Sequence, residues 1–295
     1  MHKSCNFQNR IIKRPGVYYR LNMNYKLFNY IHFVFFTILV LFVLNSCGTM
    51  RNGYIWGEHV NYLPGWKKIG NAAYNAALAH ETWIPLSGAL IVHVADIDQN
   101  ISGWASKKTP IFGSQESAAR YSDYLSYFSR VVYWTSALFA PGGENFGEWT
   151  YSKIKGYSIG ILAYHANKHS TDYIKIESHR LRPDRSNYRS FPSGHTSKSA
   201  VYYTLAIRNL ESFPRLLNYK TEIHTGFTFL TAVTAWARIE AKRHYPTDVL
   251  FGAALGNFLG SFINDAFIGI EHSHDLDINL SNNKNSLMLN LTYKF

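Results

Sequence analysis

Three short clusters in the second half of the chain combine residue types suited to handling a phosphate group. Lys175 is followed, after six residues, by Arg182-Pro183. Pro192-Ser193-Gly194-His195 forms the second cluster. In the third, Arg238 precedes His244 by five intervening residues, and His244 precedes Asp248 by three. Lys175, Arg182 and Arg238 are fixed cations, and arginine offers a planar fork of donors that matches phosphate oxygens. Cations converging on one pocket repel one another unless an anion lies among them. Phosphoryl transfer spreads negative charge over equatorial oxygens, and preorganised cations stabilise that transition state.

The second and third clusters each read as the start of a helix. After Ser193-Gly194, the residues Ala200, Tyr203, Ile207 and Leu210 recur at helical spacing and form a buried stripe. A helix N-terminus presents free N–H groups and the positive end of a dipole, which suits an anion. Gly194 allows backbone to approach phosphate closely, Ser193 adds a hydroxyl donor, and His195 is placed to give or take a proton. In Tyr245-Pro246-Thr247-Asp248, Pro246 fits the first helical position. Asp248, at the third, can reach back across the terminus and meet the His244 imidazole, fixing its tautomer. That is the logic of a nucleophile and its orienting group, with histidine attacking.

In order and spacing, these clusters resemble the signature of the PAP2 superfamily, which includes bacterial acid phosphatases, lipid phosphate phosphatases and vanadium haloperoxidases. The resemblance implies an all-α, PAP2/haloperoxidase-like helical bundle. It implies that His244 attacks phosphorus, Asp248 orients it, and His195 protonates the leaving oxygen and then activates water. Lys175, Arg182, Ser193, Gly194 and Arg238 would hold the phosphoryl oxygens, with no metal and no cofactor. One position departs from the family pattern: Ala237 stands where the family has serine beside the last arginine. The implied activity is hydrolysis of phosphate monoesters, either lipid phosphates or small molecules. A vanadate-dependent haloperoxidase and a non-enzymatic envelope lipoprotein are the alternatives.

The elements that must position these residues are mostly helical in pattern. Helices are expected at 71–80, 84–95, 117–138, 145–168, 194–211, 225–243 and 247–266. Together they make a domain over residues 66–270, preceded by a Gly-, Asn- and Pro-punctuated linker at 47–65. The apolar run Val249 to Ile263 contains Asn257 and three glycines, and Ile223 to Ala237 contains His224 and several threonines. Both fall short of the ~20 apolar residues of a membrane helix, which favours a helical domain outside the bilayer. In the tail, 271–295, alternation over 276–280 and 287–291 around a polar 281–285 predicts a small β-hairpin.

Residues 1–46 carry six of the eleven net positive charges and no acid. Their apolar run, 31–44, spans ~21 Å at helical rise, shorter than a ~30 Å hydrocarbon core. That length suits the core of a signal peptide. Leu44-Asn45-Ser46-Cys47 resembles a lipobox, implying acylation of Cys47 and a membrane tether in the envelope, facing the periplasm from the outer membrane. With Cys5 as the other cysteine, no disulfide framework is expected. The charge left on the remainder suits anionic substrates or phospholipid surfaces, and no basic stripe with stacking aromatics suggests nucleic acid. His165 and His169 share helical spacing but lack a third metal ligand. Asp96 and Asp98 read as capping or solvating a helix end, and His272, His274 and Asp275 as a loop. The many aromatic residues read as filling helix–helix contacts.

Overall fold

The computed structural model describes residues 48–50, 53–268, 276–283 and 286–293. The expected signal peptide, Cys47 and the 271–275 loop lie outside the described residues. Among those described, the helices in chain order are α1 (Trp66–Leu78), α2 (His80–Val94), α3 (Asp98–Lys108), α4 (Gln115–Phe139), α5 (Phe146–Ser178), α6 (Gly194–Glu211), α7 (Lys220–Glu240) and α8 (Pro246–Phe267). A 3₁₀ segment, Pro214–Tyr219, connects α6 to α7. Strands β1 (Leu276–Asn283) and β2 (Ser286–Tyr293) pair antiparallel, from Leu276 opposite Tyr293 to Asn283 opposite Ser286.

Local sequence explains where the helices begin. The Ser114 side chain accepts from Ser117 N at 3.0 Å and starts α4. Asn145 does the same for α5, accepting from Glu148 N at 2.9 Å. Proline at the first position starts α8. Helix α5 runs ten residues past its expected end at 168, because its polar face packs rather than faces water: Asn167, Thr171 and Lys175 are all buried. Helix α3 has no counterpart among the expected helices. Its sequence is polar and carries a glycine, so it shows no apolar stripe. It buries small side chains instead, Ser102, Ala105 and Ser106, with Asp98 in its first turn and Lys107 and Lys108 in its last.

Helix α6 is the centre of the bundle, with nearly every side chain from Thr196 to Ile207 buried. Val201, Tyr202 and Leu205 share one core with Tyr133 of α4, Ile159 and Ala163 of α5, and Ile263 of α8. Aromatic rings do fill these contacts: Tyr202 stacks between Tyr133 at 5.6 Å and Tyr164 at 5.5 Å. The glycines of α8 face α6 at very short range. A Cβ on Gly252 would lie 2.8 Å from Ser193 O, and one on Gly256 2.2 Å from Ser197 O. These glycines bring the two helix N-termini that carry the second and third clusters side by side.

The described residues of the segment read as a linker are docked, beginning with Gly48, which pairs with Gly143. Trp56 is buried, its N–H donates to Pro141 O at 2.8 Å, and Asn61 N donates to Phe267 O at 2.9 Å. Its indole fills the space over Gly156, where a Cβ would come within 2.1 Å of the ring. Burial of that ring, with Lys153 held 5.0 Å over its face, outweighs the local flexibility that glycine and proline suggest. No helix among the described residues is long and apolar enough to cross a membrane.

Candidate active site

The loop between α5 and α6 gathers the clusters. It folds back on itself through Arg182 N to Asn187 O at 3.0 Å and Ser190 N to Arg180 O at 3.0 Å. Lys175, in the last turn of α5, is buried and donates to Pro192 O and, at 3.2 Å, to Arg189 O. Its ammonium therefore fastens the end of this loop to α5. Burial, with Arg182 nearby, lowers its pKa to about 8. Ser193 caps α6, and its N–H donates to Asp248 O at 2.9 Å, which locks the starts of α6 and α8 together. At Gly194 a Cβ would meet nothing nearer than 3.8 Å, so clear space remains where a helix N-terminus favours an anion.

His244 is 1% exposed. Its Nδ1 lies 2.7 Å from the Ser190 carbonyl and 3.6 Å from Asp248 Oδ2. A carbonyl can only accept, so Nδ1 carries the proton and Nε2 keeps its lone pair. Burial lowers the imidazole pKa to about 4 against the pull of Asp248, so the ring is neutral at pH 7. Asp248 does lie against His244 as expected, at 3.6 Å, but the Nδ1 proton is donated to a backbone carbonyl. The reason is that Asp248 is already occupied. Its Oδ2 accepts from Ser190 Oγ at 2.5 Å and Tyr245 N at 2.8 Å, and its Oδ1 from Arg180 at 2.8 Å. Burial alone would raise the Asp248 pKa, but His244, Arg180 and Ser190 together hold it below the usual carboxylate range.

Arg238 is buried, with one guanidinium nitrogen donating to Ser122 Oγ at 3.0 Å. Burial and the neighbouring Arg182 lower its pKa to about 10. The Nε atoms of both Arg238 and Arg182 are buried without a hydrogen-bond partner. Both side chains keep donors with which to hold an anion between them. His195 Nε2 lies 2.8 Å from Asp123 Oδ1 of α4. Burial, Arg238 and Lys198 push the His195 pKa down to about 3, with Asp123 opposing them.

The structure thus brings Lys175, Arg182, Ser193, Gly194, His195, Arg238, His244 and Asp248 to one end of the bundle. Sequence reasoning missed Arg180 and Ser190, which lie within and beside the first two clusters but belong to no recognised motif position, and Asp123, which comes from α4. It read Asp98 as a helix-end residue. Asp98 does accept from Thr247 N at 2.9 Å, capping α8, but it also holds Arg180 at 2.6 Å. As to metals, His165 and His169 stack ring on ring at 6.1 Å. His80, Glu81 and His224 bring ligand atoms within 4.8 Å of one another at the α2–α7 junction. There His224 bridges two carboxylates, Glu81 at 2.5 Å and Glu211 at 3.0 Å, and is held as an imidazolium with pKa raised to about 9.

Comparison with known proteins fits this geometry. Residues 152–267, from α5 through α8, match the family model described as PAP2 superfamily. A curated relative, the lipid A 1-phosphatase of Porphyromonas gingivalis, is 40% identical over 81 residues. That alignment covers 28% of this chain, and the chain spans only 17% of the relative's length. A solved structure, a transmembrane PAP2-type phosphatidylglycerolphosphate phosphatase from Bacillus subtilis, is similar with a TM-score of 0.48 and 19% identity. The match covers 65% of this chain and 94% of that one.

Proposed function

We propose that this protein is a metal-independent phosphatase that hydrolyses lipid phosphate monoesters through a phosphohistidine on His244. The observation that carries the reading is the pair of buried, unpartnered Nε atoms on Arg182 and Arg238, beside a neutral histidine whose Nε2 lone pair is free. His244 Nε2 attacks phosphorus, forming the P–N bond as the ester P–O bond breaks. The leaving oxygen takes a proton from His195, whose pKa is lowered to about 3 by burial, Arg238 and Lys198 in the free site and must rise as the incoming phosphate dianion offsets those cations. Neutral His195 then takes a proton from water, the resulting hydroxide attacks phosphorus, and the P–N bond breaks to release phosphate. Arg182, Arg238 and the N-terminus of α6 stabilise the equatorial oxygens, the role that a metal plays in other phosphatases.

The choice of lipids is supported by apolar surface. Helix α2 exposes Ile84, Leu86, Leu90, Ile91 and Val94. A cavity of about 550 Å³, lined almost wholly by apolar side chains including Val92, Phe227, Trp236 and Leu250, lies among α2, α6, α7 and α8. A lipid tether at Cys47 would hold the domain at an envelope membrane where such substrates reside. The test is phosphate release from a panel of lipid phosphates and small monoesters in the presence of a chelator. Turnover is expected, along with vanadate inhibition, loss of turnover in His244→Ala, and an acid-labile phosphoprotein on rapid quench. Turnover that depends on added divalent metal would overturn the mechanism.

A further inference from the structure

Beside the site lies a second pocket of about 460 Å³, between α3, the 180–185 segment and the turn before α8. Arg180, Arg182, Arg185 and Lys242 all line it, and no carboxylate does. The nearby carboxylates face other groups. Asp98 and Asp248 hold Arg180 at 2.6 and 2.8 Å, and Asp184 holds Arg243 at 2.9 Å. Arg185 and Lys242 make no ion pair among the described residues. Arg180 is thus neutralised by two carboxylates, whereas Arg182, Arg185 and Lys242 face a space that no carboxylate lines, and their mutual repulsion is relieved by an anion.

One further observation points the same way. Ser102 lines this pocket, is 2% exposed, and its Oγ has no hydrogen-bond partner. A hydroxyl so deeply buried is normally satisfied, and here an acceptor entering the pocket would satisfy it. Arg185 and Lys242 also both adopt left-handed backbone, with φ of 60° and 58°. At Lys242 it closes the C-terminus of α7, with Lys242 N donating to Ile239 O at 2.9 Å and Arg243 N to Arg238 O at 3.1 Å, and at Arg185 it closes the turn from Arg182.

We propose that this pocket is a second phosphate subsite, which binds a phosphate group other than the one being transferred. Guanidinium forks and a hydroxyl match the several acceptor oxygens of a phosphate. Arg182 belongs to both pockets, so the two phosphates would lie on either side of one guanidinium. The role in substrate choice rests on the phosphatase reading above, and it favours substrates with two phosphate groups. The same chemistry would also accept free phosphate released by the reaction.

The experiment compares the full chain with the double variant Arg185→Gly, Lys242→Gly, which removes two charges while relieving the left-handed backbone. Calorimetric titration with inorganic phosphate is expected to show two sites in the parent and one in the variant. One site in both proteins would overturn the proposal. In the kinetic arm, the parent is expected to show a KM roughly tenfold lower for glucose 1,6-bisphosphate than for glucose 1-phosphate, and the variant no such difference. A preference that survives in the variant counts against the subsite. Two titration sites without a kinetic preference assign the pocket to free phosphate. Should neither sugar nor lipid phosphates turn over, the phosphatase reading falls, while the titration still decides the subsite.

Discussion

Arg180 and Asp248 form an ion pair 2.8 Å long immediately behind the proposed nucleophile. The other guanidinium nitrogen of Arg180 lies 2.6 Å from Asp98, and Asp98 in turn caps the helix that carries Asp248. One arginine from the α5–α6 loop therefore ties α3 to the first turn of α8. The Asp248 carboxylate is held by Arg180, Ser190 and the Tyr245 N–H, and it meets His244 only at 3.6 Å. Asp248 acts on His244 through its charge, and the Ser190 carbonyl acts through a hydrogen bond.

This division of labour predicts a moderate effect for Asp248→Asn. Where a carboxylate sets the tautomer of a catalytic histidine, its amide replacement costs about 10⁴ in kcat. Here a backbone carbonyl sets the tautomer, so the loss expected is about 10². Steady-state kinetics on the purified variant checks this. A loss near 10⁴ would show that Asp248 does set the tautomer.

Arg180→Ala removes the ion partner shared by two buried carboxylates. Breaking a buried pair costs about 3 kcal/mol or more, but Arg180 is 31% exposed, and solvent screening reduces this to about 2 kcal/mol. The expected outcome is a lower urea midpoint at unchanged m-value, with kcat reduced about tenfold as the first turn of α8 loosens. Asp98→Asn keeps the shape and one acceptor oxygen, so its losses should be smaller in both measurements. Equal stability of Arg180→Ala and parent would rule out the tie described.

The sequence makes this site only half legible, for a physical reason. Helix α6 matches its expected bounds to the residue, because its cap, its apolar stripe and its glycine start all agree. Helices α4 and α8 match to within two residues for similar reasons. Helix α3 is stabilised by small polar residues packing against neighbours, and no periodicity announces that. The same holds within the site. His195, His244 and the cations stand at fixed spacings on helix ends, whereas Ser190, Asp123 and Asp98 reach them only after the chain folds. The buried state of Trp56 is likewise set by a groove at Gly156, a hundred residues away in the chain.

Two buried histidines should cost stability on the acid side, while on the alkaline side a loss at His224 opposes the gain from Lys175, whose pKa is lowered to about 8. His195 and His244 have pKa values lowered to about 3 and about 4, so below the unfolded value of ~6.5 the unfolded chain binds more protons than the folded one. Stability is therefore lost as pH falls from ~6.5 towards 4. His224 has its pKa raised to about 9, so its contribution is complete below ~6.5 and is lost as pH rises through 9. Melting temperatures across pH 4 to 10 check both limbs. His224→Gln should remove the alkaline loss, so that melting temperature rises more with pH above 7 than in the parent, and leave the acid limb in place. An alkaline limb unchanged in that variant would show that another group controls it.

Gly256→Ala tests how the fold holds the site together. The added Cβ would lie 2.2 Å from Ser197 O and 2.8 Å from the Ala200 methyl, both fixed parts of α6. Neither can swing away as a flexible side chain would, so α8 must shift relative to α6. Overpacking of this kind costs about 1–3 kcal/mol, offset by less than 1 kcal/mol from the better helix propensity of alanine. The shift would also stretch the Ser193 N–H to Asp248 O bond, now 2.9 Å, one turn closer to the site. Lower stability is therefore expected together with a drop in kcat, although Gly256 touches no part of the proposed chemistry. Retained kcat in a destabilised variant would mean that the two helix N-termini keep their registry without close packing of α8 on α6.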